Sequence, residues 1–276
     1  MQPTQAEIAA YLAEDIGSGD LTANIIPEQT IASATVVSRE TTIICGQAWF
    51  NAVFLQLNPD LQIEWLCQEG QQVAAGSVIC RLNGSARSLL TGERTALNLL
   101  QSLSATANLA SRYAQAVAGT GCKILDTRKT IPGLRLAQKY AVKCGGCFNH
   151  RIGLFDAILI KENHIIAAGS IAQAVKLARQ SNSQVMVEIE VENLDEFQQA
   201  LAAKPDRIML DNFSLADMVS AVQQNQVGVE LEASGNITLE TIRSVAETGV
   251  DYISIGALTK NLKAVDLSMR IDLQTL

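Results

Sequence analysis

From Cys122 onward, short β-rich runs alternate with amphipathic stretches. The runs are "CKILDTRK", "DAILIKENH", "VMVEIEVEN", "DRIMLDN", "VGVELEASGN" and "VDYISIGALT". Between them lie "GLRLAQKYAVKC", "IAQAVKLARQS", "NLDEFQQALAA", "LADMVSAVQQ" and "LETIRSVAETG", whose apolar positions recur with helical spacing. In the first of these, Leu134, Ala137, Tyr140, Ala141 and Cys144 share one face. Arg135, Lys139 and Lys143 follow at a spacing of four along another and read as a solvated face. Successive runs are about twenty to thirty residues apart, the period of βαβ units in a parallel sheet. No Gly-x-Gly-x-x-Gly follows the first run, which argues against a dinucleotide-binding fold. Each run ends in polar residues, as the strands of a (β/α) barrel do where the chemistry sits. Six units are visible rather than eight, which predicts an incomplete barrel.

The first part of the chain has a different texture. A helix is expected near Thr4–Glu14, then the Gly/Ser/Asp loop "EDIGSGDLT". The β-like stretches "ASATVVSRETTIICG" and "LQIEWLCQEGQQVAAGSVICRLNG" follow, and then the long helical pattern "SARSLLTGERTALNLLQSLSATANLASRYAQAV". "EGQQVAAGSVICRL" has the look of a lipoyl-carrier hairpin, but no Lys stands at its tip, so it reads as strand-turn-strand. The fold class is thus α/β: an N-terminal α+β domain over 1–112, then the barrel over 113–265.

At 276 residues, 48% hydrophobic and 18% charged, the chain is an ordinary globular protein. No apolar run approaches the ~18 residues of a membrane span. The N-terminus shows no basic region followed by an apolar stretch, so no secretory signal is expected. Six irregularly spaced cysteines do not form a disulfide framework, and a cytoplasmic location is the economical expectation. Cys144 and Cys147 make a single "CGGC" with no second pair and no ligands at zinc spacing; they read as incidental thiols beside a glycine turn.

Charge changes the picture. Between Cys122 and His164 stand eight Lys or Arg and three acids, a segment of +5 in a chain of −7. Both histidines, His150 and His164, fall inside it. A small anion fits this better than nucleic acid, which the acidic remainder would repel. Taken in order, the run ends and their loops supply Arg128 and Lys129, His150 and Arg151, Lys161, Glu188 and Glu190, Asp211, then Ser234-Gly235-Asn236 and Gly256-Ala257. A barrel mouth built from these has a cationic side for a carboxylate-rich ligand. Its acidic side, Glu190 and Asp211, suits a sugar and Mg²⁺. The last two ends are small residues whose N–H groups can cradle a phosphate.

Together, "DTRKTIPGLRLAQKYAVKCGG", "FNHRIGLFDAILIKENHI", "GERTALNLLQSLS", "EDIGSGDLT", "LEASGNI" and "YISIGALT" resemble the quinolinate phosphoribosyltransferases, or nicotinate-nucleotide pyrophosphorylases (carboxylating). The resemblance spans nearly the whole chain. It implies an α+β sandwich domain before an incomplete barrel, with a C-terminal tail (266–276) packed on the first domain. It implies that quinolinate and phosphoribosyl pyrophosphate give nicotinate mononucleotide, pyrophosphate and carbon dioxide, with Mg²⁺, in NAD biosynthesis. By resemblance, Thr127, Arg128, Lys129, His150, Arg151 and Lys161 surround quinolinate, and Arg94 reaches in from a neighbouring subunit of a homodimer, with hexamers left open. Lys129, Lys161, Glu190 and Asp211 are the catalytic candidates, Glu190 and Asp211 also meeting the ribose and its metal. Ser234, Gly235, Asn236, Gly256 and Ala257 hold the 5′-phosphate. Three positions depart from the family pattern: Cys147 replaces a glycine, Glu162 replaces Asp in "KDNH", and Lys260 replaces the histidine of "GALTHS". Rival readings are a phosphoribosyltransferase of the same fold acting on another ring, a Schiff-base barrel aldolase using Lys161, and a non-catalytic dicarboxylate-binding protein.

Overall fold

The chain opens on a helix capped by its own first residues. In the computed structural model, which describes residues 1–273, the Thr4 hydroxyl accepts the Glu7 N–H at 3.2 Å, and the Glu7 carboxylate accepts the Thr4 N–H at 2.7 Å. This reciprocal box satisfies two N–H groups that a helix start leaves over. The helices in chain order are α1 (Gln5–Ile16), α2 (Gln47–Leu57), α3 (Ala86–Ala116), α4 (Arg135–Cys144), α5 (Glu162–Ala168), α6 (Ile171–Ser181), α7 (Leu194–Ala203), α8 (Leu215–Gln224), α9 (Ile242–Ala246) and α10 (Ala257–Lys260). The strands are β1 (Ile31–Ser38), β2 (Thr42–Ile43), β3 (Gln62–Trp65), β4 (Gln72–Val73), β5 (Val78–Ser85), β6 (Lys123–Leu125), β7 (Ile158–Ile160), β8 (Val187–Val191), β9 (Arg207–Asp211), β10 (Glu230–Ser234), β11 (Tyr252–Ser254) and β12 (Leu267–Leu273).

They form two compact units. The first comprises 1–110, Ile131–Gly146 and 261–273; the second comprises Ser111–Thr130 and Cys147–Lys260. In the first unit an antiparallel sheet runs β12-β1-β5-β3. Alternate residues of β1 (Ala32, Ala34, Val36) are buried, the period of a strand with one covered face. Phe50 of α2 meets Phe54 and Trp65 edge-on, at 5.0 and 5.2 Å between ring centroids. Gly92 of α3 lies against the Phe54 ring: a Cβ there would come within 2.8 Å of it. Asp20 closes the "GSGD" loop, accepting the Thr22 and Ala23 N–H groups and the Thr91 hydroxyl.

The "AWFNAVFLQL" stretch, which the sequence reading assigns to no element, is helix α2, apolar on so many sides that it shows no clean period. β4 pairs with β2 rather than with β5, so "EGQQVAAGSVICRL" is not a simple hairpin. Residues 131–146, read as part of the 113–265 domain, belong to the first unit, as do 261–265. Lys139, read as solvated, is 2% exposed, because Gln138, Ala141 and Val142 are buried as well and the covered arc of α4 is wide. Of the tail 266–276, β12 pairs with β1 within the first unit; 274–276 lie outside the described residues.

The second unit is a parallel six-stranded sheet of order β6-β11-β10-β9-β8-β7, and each run read from the sequence is one of its strands. Beyond β6, Phe148 continues the pattern through a parallel bridge to Leu125. Among the described residues no ladder joins β7 back to β6, which leaves the barrel incomplete. Helices return the chain between strands. Ser170, Asn193 and Ser214 cap α6, α7 and α8, each side-chain oxygen accepting an N–H three residues on. Among the described residues no helix is long and apolar enough to cross a membrane.

Candidate active site

Strand alternation sorts the polar residues of the second unit into layers. Glu188 and Glu190 are two apart on β8, Arg207, Met209 and Asp211 on β9, and Glu230, Glu232 and Ser234 on β10. Register aligns Asp211 with Ser234, and Met209 with both Glu190 and Glu232. Of these residues, Glu190, Asp211 and Ser234 stand nearest the C-terminal ends of their own strands, and Glu188 and Glu232 come two residues before Glu190 and Ser234.

The deep layer is closed. Glu188 and Glu232 are fully buried. His150 Nε2 is 2.9 Å from the Glu188 carboxylate and 3.6 Å from that of Glu232. Arg207 reaches Glu232 at 3.1 Å and Glu230 at 2.8 Å, and its guanidinium stacks 3.9 Å from the centroid of the Tyr252 ring. Burial pushes the Glu188 carboxyl up to about 7 against the pull of Arg207. Burial and the charge of Glu188 push Glu232 up to about 7 as well. Two acids around one arginine and one histidine hold more negative charge than the site balances, and a proton relieves it.

His150 links this layer to the cations. Its Nδ1 accepts the Arg151 N–H at 2.8 Å, so the neutral ring carries its proton on Nε2, toward Glu188. Buried Asp126 receives the His150 N–H at 2.9 Å and the Asn149 amide at 2.6 Å, which fixes the loop after Phe148. The sequence reading set His150 among the mouth cations; here both ring nitrogens are engaged within the protein. Arg151 donates to the Ala157 carbonyl at 3.2 Å. Burial, and then the nearby charge of Arg128, draw the Arg151 guanidinium below its ordinary value. Two like charges held together in partial burial are poised for an anion.

At the mouth, Lys161 pairs with Glu190. The Lys129 N–H is held by the Thr127 hydroxyl at 3.1 Å, and its carbonyl by the Thr259 hydroxyl at 2.8 Å. The Lys129 side chain crosses Gly256 so closely that a Cβ there would lie 3.0 Å from its Cδ. His164, the other histidine, receives the Lys161 N–H at the start of α5 and so has a local structural role. Acid crowds the outer rim of β8: the charge of Glu162 first, then burial and the charges of Glu196, Asp211 and Glu190, raise the Glu192 carboxyl. Glu162, Glu190, Glu192 and Glu196 line a cleft of ≈ 440 Å³.

Asn212 is a residue the sequence reading missed. It sits at φ 56°, donates to the Asp211 carboxylate at 2.7 Å through its side chain, and donates its N–H to the Ser234 carbonyl at 2.9 Å. Gly235 (φ 99°) packs on it: a Cβ there would fall 2.1 Å from Asn212 Oδ1. Asn236 (φ 47°) donates to the same oxygen at 3.4 Å. Asn immediately after a strand-end Asp was the available signal, since Asn tolerates the left-handed region better than most residues. After β11, Gly256 leads into α10, which Ala257 opens.

Thr127, Arg128, Lys129, His150, Arg151, Lys161, Glu190, Asp211, Ser234, Gly235, Asn236, Gly256 and Ala257 all belong to the second unit. Arg94 belongs to the first unit, exposed on α3 at a ≈ 300 Å³ cleft shared with Tyr11, Glu14 and Asp15. Lys161 is ion-paired and half exposed, and nothing supports the aldolase reading.

Known proteins resemble this chain over nearly its whole length. The family model described as "Quinolinate phosphoribosyl transferase, N-terminal domain" matches residues 20–104, and the one for the C-terminal domain matches 106–270. A probable nicotinate-nucleotide pyrophosphorylase [carboxylating] of Synechocystis sp. is 43% identical, covering 95% of this chain and 90% of its own. Its counterpart in Bacillus subtilis is 41% identical over 95% and 91%. A nicotinate-nucleotide pyrophosphorylase structure from Francisella tularensis superposes with TM-score 0.94 at 50% identity, covering 98% of each chain.

Proposed function

We propose a division of labour for this site from the premise that the chain belongs to the quinolinate phosphoribosyltransferase family. Its activity is the decarboxylating transfer of a phosphoribosyl group from phosphoribosyl pyrophosphate to quinolinate, a pentosyltransferase step of NAD biosynthesis. The rival ring substrates, and a binding protein without catalysis, have no support.

In our reading Arg128, Lys129, Arg151 and Lys161 hold the two quinolinate carboxylates, with Thr127 orienting the Lys129 backbone. One observation carries this: cations stand after the two edge strands β6 and β7 and acids at the ends of β8 and β9 between them, and burial with the charge of Arg128 lowers Arg151. His150 contributes by fixing the Arg151 backbone from below. Glu190 and Asp211 face the ribose, where they favour the positive charge that develops as pyrophosphate departs. The loops at Ser234–Asn236 and Gly256–Ala257 offer N–H groups to the 5′-phosphate, with Lys260 nearby in sequence. Lys161 exchanges Glu190 for substrate as the ring enters. Once glycosylated, the ring nitrogen is cationic and accepts the electron pair left when the adjacent carboxylate leaves as carbon dioxide. The protein supplies position and charge.

Mg²⁺ is part of this proposal. Glu190 and Asp211 offer hard oxygen donors, and the crowding that raises Glu192 marks a rim that attracts cations. Bound with the pyrophosphate, the ion would neutralise charge on the leaving group. Six free thiols support a reducing, cytoplasmic location. Arg94 completes the site from a partner subunit in this reading, which makes the working unit a homodimer. Mixing Arg94→Ala with Lys161→Ala, each nearly inactive, should restore part of the activity once subunits exchange. No recovery despite demonstrated exchange would remove Arg94 from the shared site.

The substrate reading is tested by calorimetric titration of quinolinate and nicotinate at two salt concentrations. Nicotinate lacks the carboxylate beside the ring nitrogen and leaves cations unpaired, at about 1–3 kcal/mol per group. It should bind at least tenfold more weakly, since 1.4 kcal/mol is about tenfold. Salt should narrow the gap only modestly, because buried pairs are poorly screened. Equal affinities would end the dicarboxylate assignment.

A further inference from the structure

The cysteine that sequence pairs with Cys147 has another neighbour in the first unit. Cys144 ends α4, and Cys45 stands just before Gly46 at the start of α2. Their sulfurs and a Glu69 carboxylate oxygen all lie within 4.8 Å of one another. Cys45 is fully buried, while Cys144 is half-buried. The Cys45 backbone is clamped on both sides: its N–H meets the Ser104 hydroxyl oxygen at 2.9 Å, and its carbonyl accepts that hydroxyl at 3.2 Å. Tyr140 stands one helical turn before Cys144 on α4.

We propose that Cys45 and Cys144 are a peroxide-responsive pair, Cys144 the sulfur attacked first and Cys45 the resolving thiol, closing to an intramolecular disulfide. The geometry divides the roles. Cys144 is the sulfur a small oxidant can reach, and Cys45 sits behind it, out of contact with solvent. The acidities agree: the hydrogen bond from Cys45, and then that from Tyr140, bring Cys144 down to about 7 against the cost of burial. The bond to Cys144 and burial keep the proton on Cys45. By contrast, burial pushes Cys122 and Cys147 up to about 12 and raises Cys67 and Cys80. A thiolate at neutral pH, partly exposed and backed by a second thiol, is the arrangement that oxidises selectively and reversibly. Glu69 does not point to a metal site, because both its oxygens already serve the start of α2, accepting the Gly46 and Gln47 N–H groups at 2.7 and 3.0 Å.

The chemistry balances with hydrogen peroxide as oxidant. The Cys144 thiolate forms an S–O bond, the O–O bond breaks, and the departing hydroxide takes the Cys45 proton to become water. The Cys45 thiolate then attacks the sulfenic sulfur. The S–S bond forms, the S–O bond breaks, and hydroxide leaves as a second water with the proton Cys144 had released. Two thiols lose two electrons, and peroxide gains them.

The full chain is treated with near-stoichiometric hydrogen peroxide, quenched by alkylation and mapped by mass spectrometry. The expected product joins the Cys45 and Cys144 peptides with loss of two hydrogens and reverts with dithiothreitol. Cys144→Ser should abolish it. Cys45→Ser should instead leave a sulfenic acid on Cys144 that dimedone traps, and should move the pH midpoint of Cys144 alkylation upward from about 7. Oxidation of Cys67 at a rate equal to Cys144, sulfinic acid without the cross-link, or stoichiometric zinc shielding both thiols in freshly purified protein would each overturn the proposal.

Discussion

Glu188 and Glu190 are two residues apart on one strand, point to the same face, and live under different physics. Glu190 is 16% exposed by its side chain and meets the ammonium of Lys161 at the rim. Glu188 is fully buried, touches His150, and is pushed up to about 7 by burial. One step along a strand, roughly 6–7 Å, separates a carboxylate that reaches the rim from one sealed in a protein network. Residue type and spacing are the same; depth assigns the role. The barrel mouth is therefore a thin layer of chemistry on a layer that organises it.

The sharpest attempt to break this comparison exchanges charge for amide in each layer. Glu190→Gln and Asp211→Asn should lower kcat by about 10²–10³, the usual loss when preorganised charge facing a developing charge is removed. Quinolinate affinity, measured directly, should hardly change. Glu188→Gln should leave turnover within about tenfold of the native enzyme, because this group does not reach the mouth. A loss from Glu188→Gln equal to that from Glu190→Gln, with the fold intact by circular dichroism, would dissolve the distinction.

The second test is by pH. A carboxyl whose pKa is raised by folding keeps a proton that the unfolded chain has released. Between the ordinary value of 4.5 and about 7, Glu232 therefore costs stability as pH rises, and above that window the cost stays constant. A shift from 4.5 to about 7 corresponds to on the order of 3 kcal/mol. Glu232→Gln keeps the shape and leaves Glu188 alone with Arg207 and His150. In chemical denaturation at pH 5 and pH 8, the native protein should lose about that much more stability than the variant. Parallel losses would mean that the deep acids share no proton.

This contrast also marks what could be read from the sequence. The six strands were legible because short β-rich runs bounded by helical periods have few alternatives. The order of polar residues at their ends was legible because barrels concentrate polar groups there. Depth was not: "VEIEV" shows two glutamates in equivalent phase, and only pairing with β9 and His150 distinguishes them. His150 counts as a cation in sequence, yet its hydrogen bonds turn it inward. α2 stayed hidden because a run apolar on several sides has no period, and the buried Lys139 because a spacing of four does not tell which face is wet. The Cys45–Cys144 contact joins residues about a hundred positions apart, where no local pattern can link them.

The smallest effect sharpens the comparison at the rim itself. Asn212 donates to the Asp211 carboxylate at 2.7 Å, so it sets the direction of one acidic group without itself being charged. Its φ of 56° would strain an alanine, and Asn212→Gly removes the amide while keeping the backbone permitted. The N–H that meets the Ser234 carbonyl survives the change. A hydrogen bond to a charged group is worth about 1.5 kcal/mol net or more, so the sugar side should weaken by roughly tenfold. The expected signature is a KM for phosphoribosyl pyrophosphate raised by about that factor, with the KM for quinolinate unchanged, because the Asn212 side chain meets an acidic strand end. Equal rises in both KM values would mean that the two sides are mechanically one loop system, and the separation of cationic and acidic sides would hold for charge but not for binding.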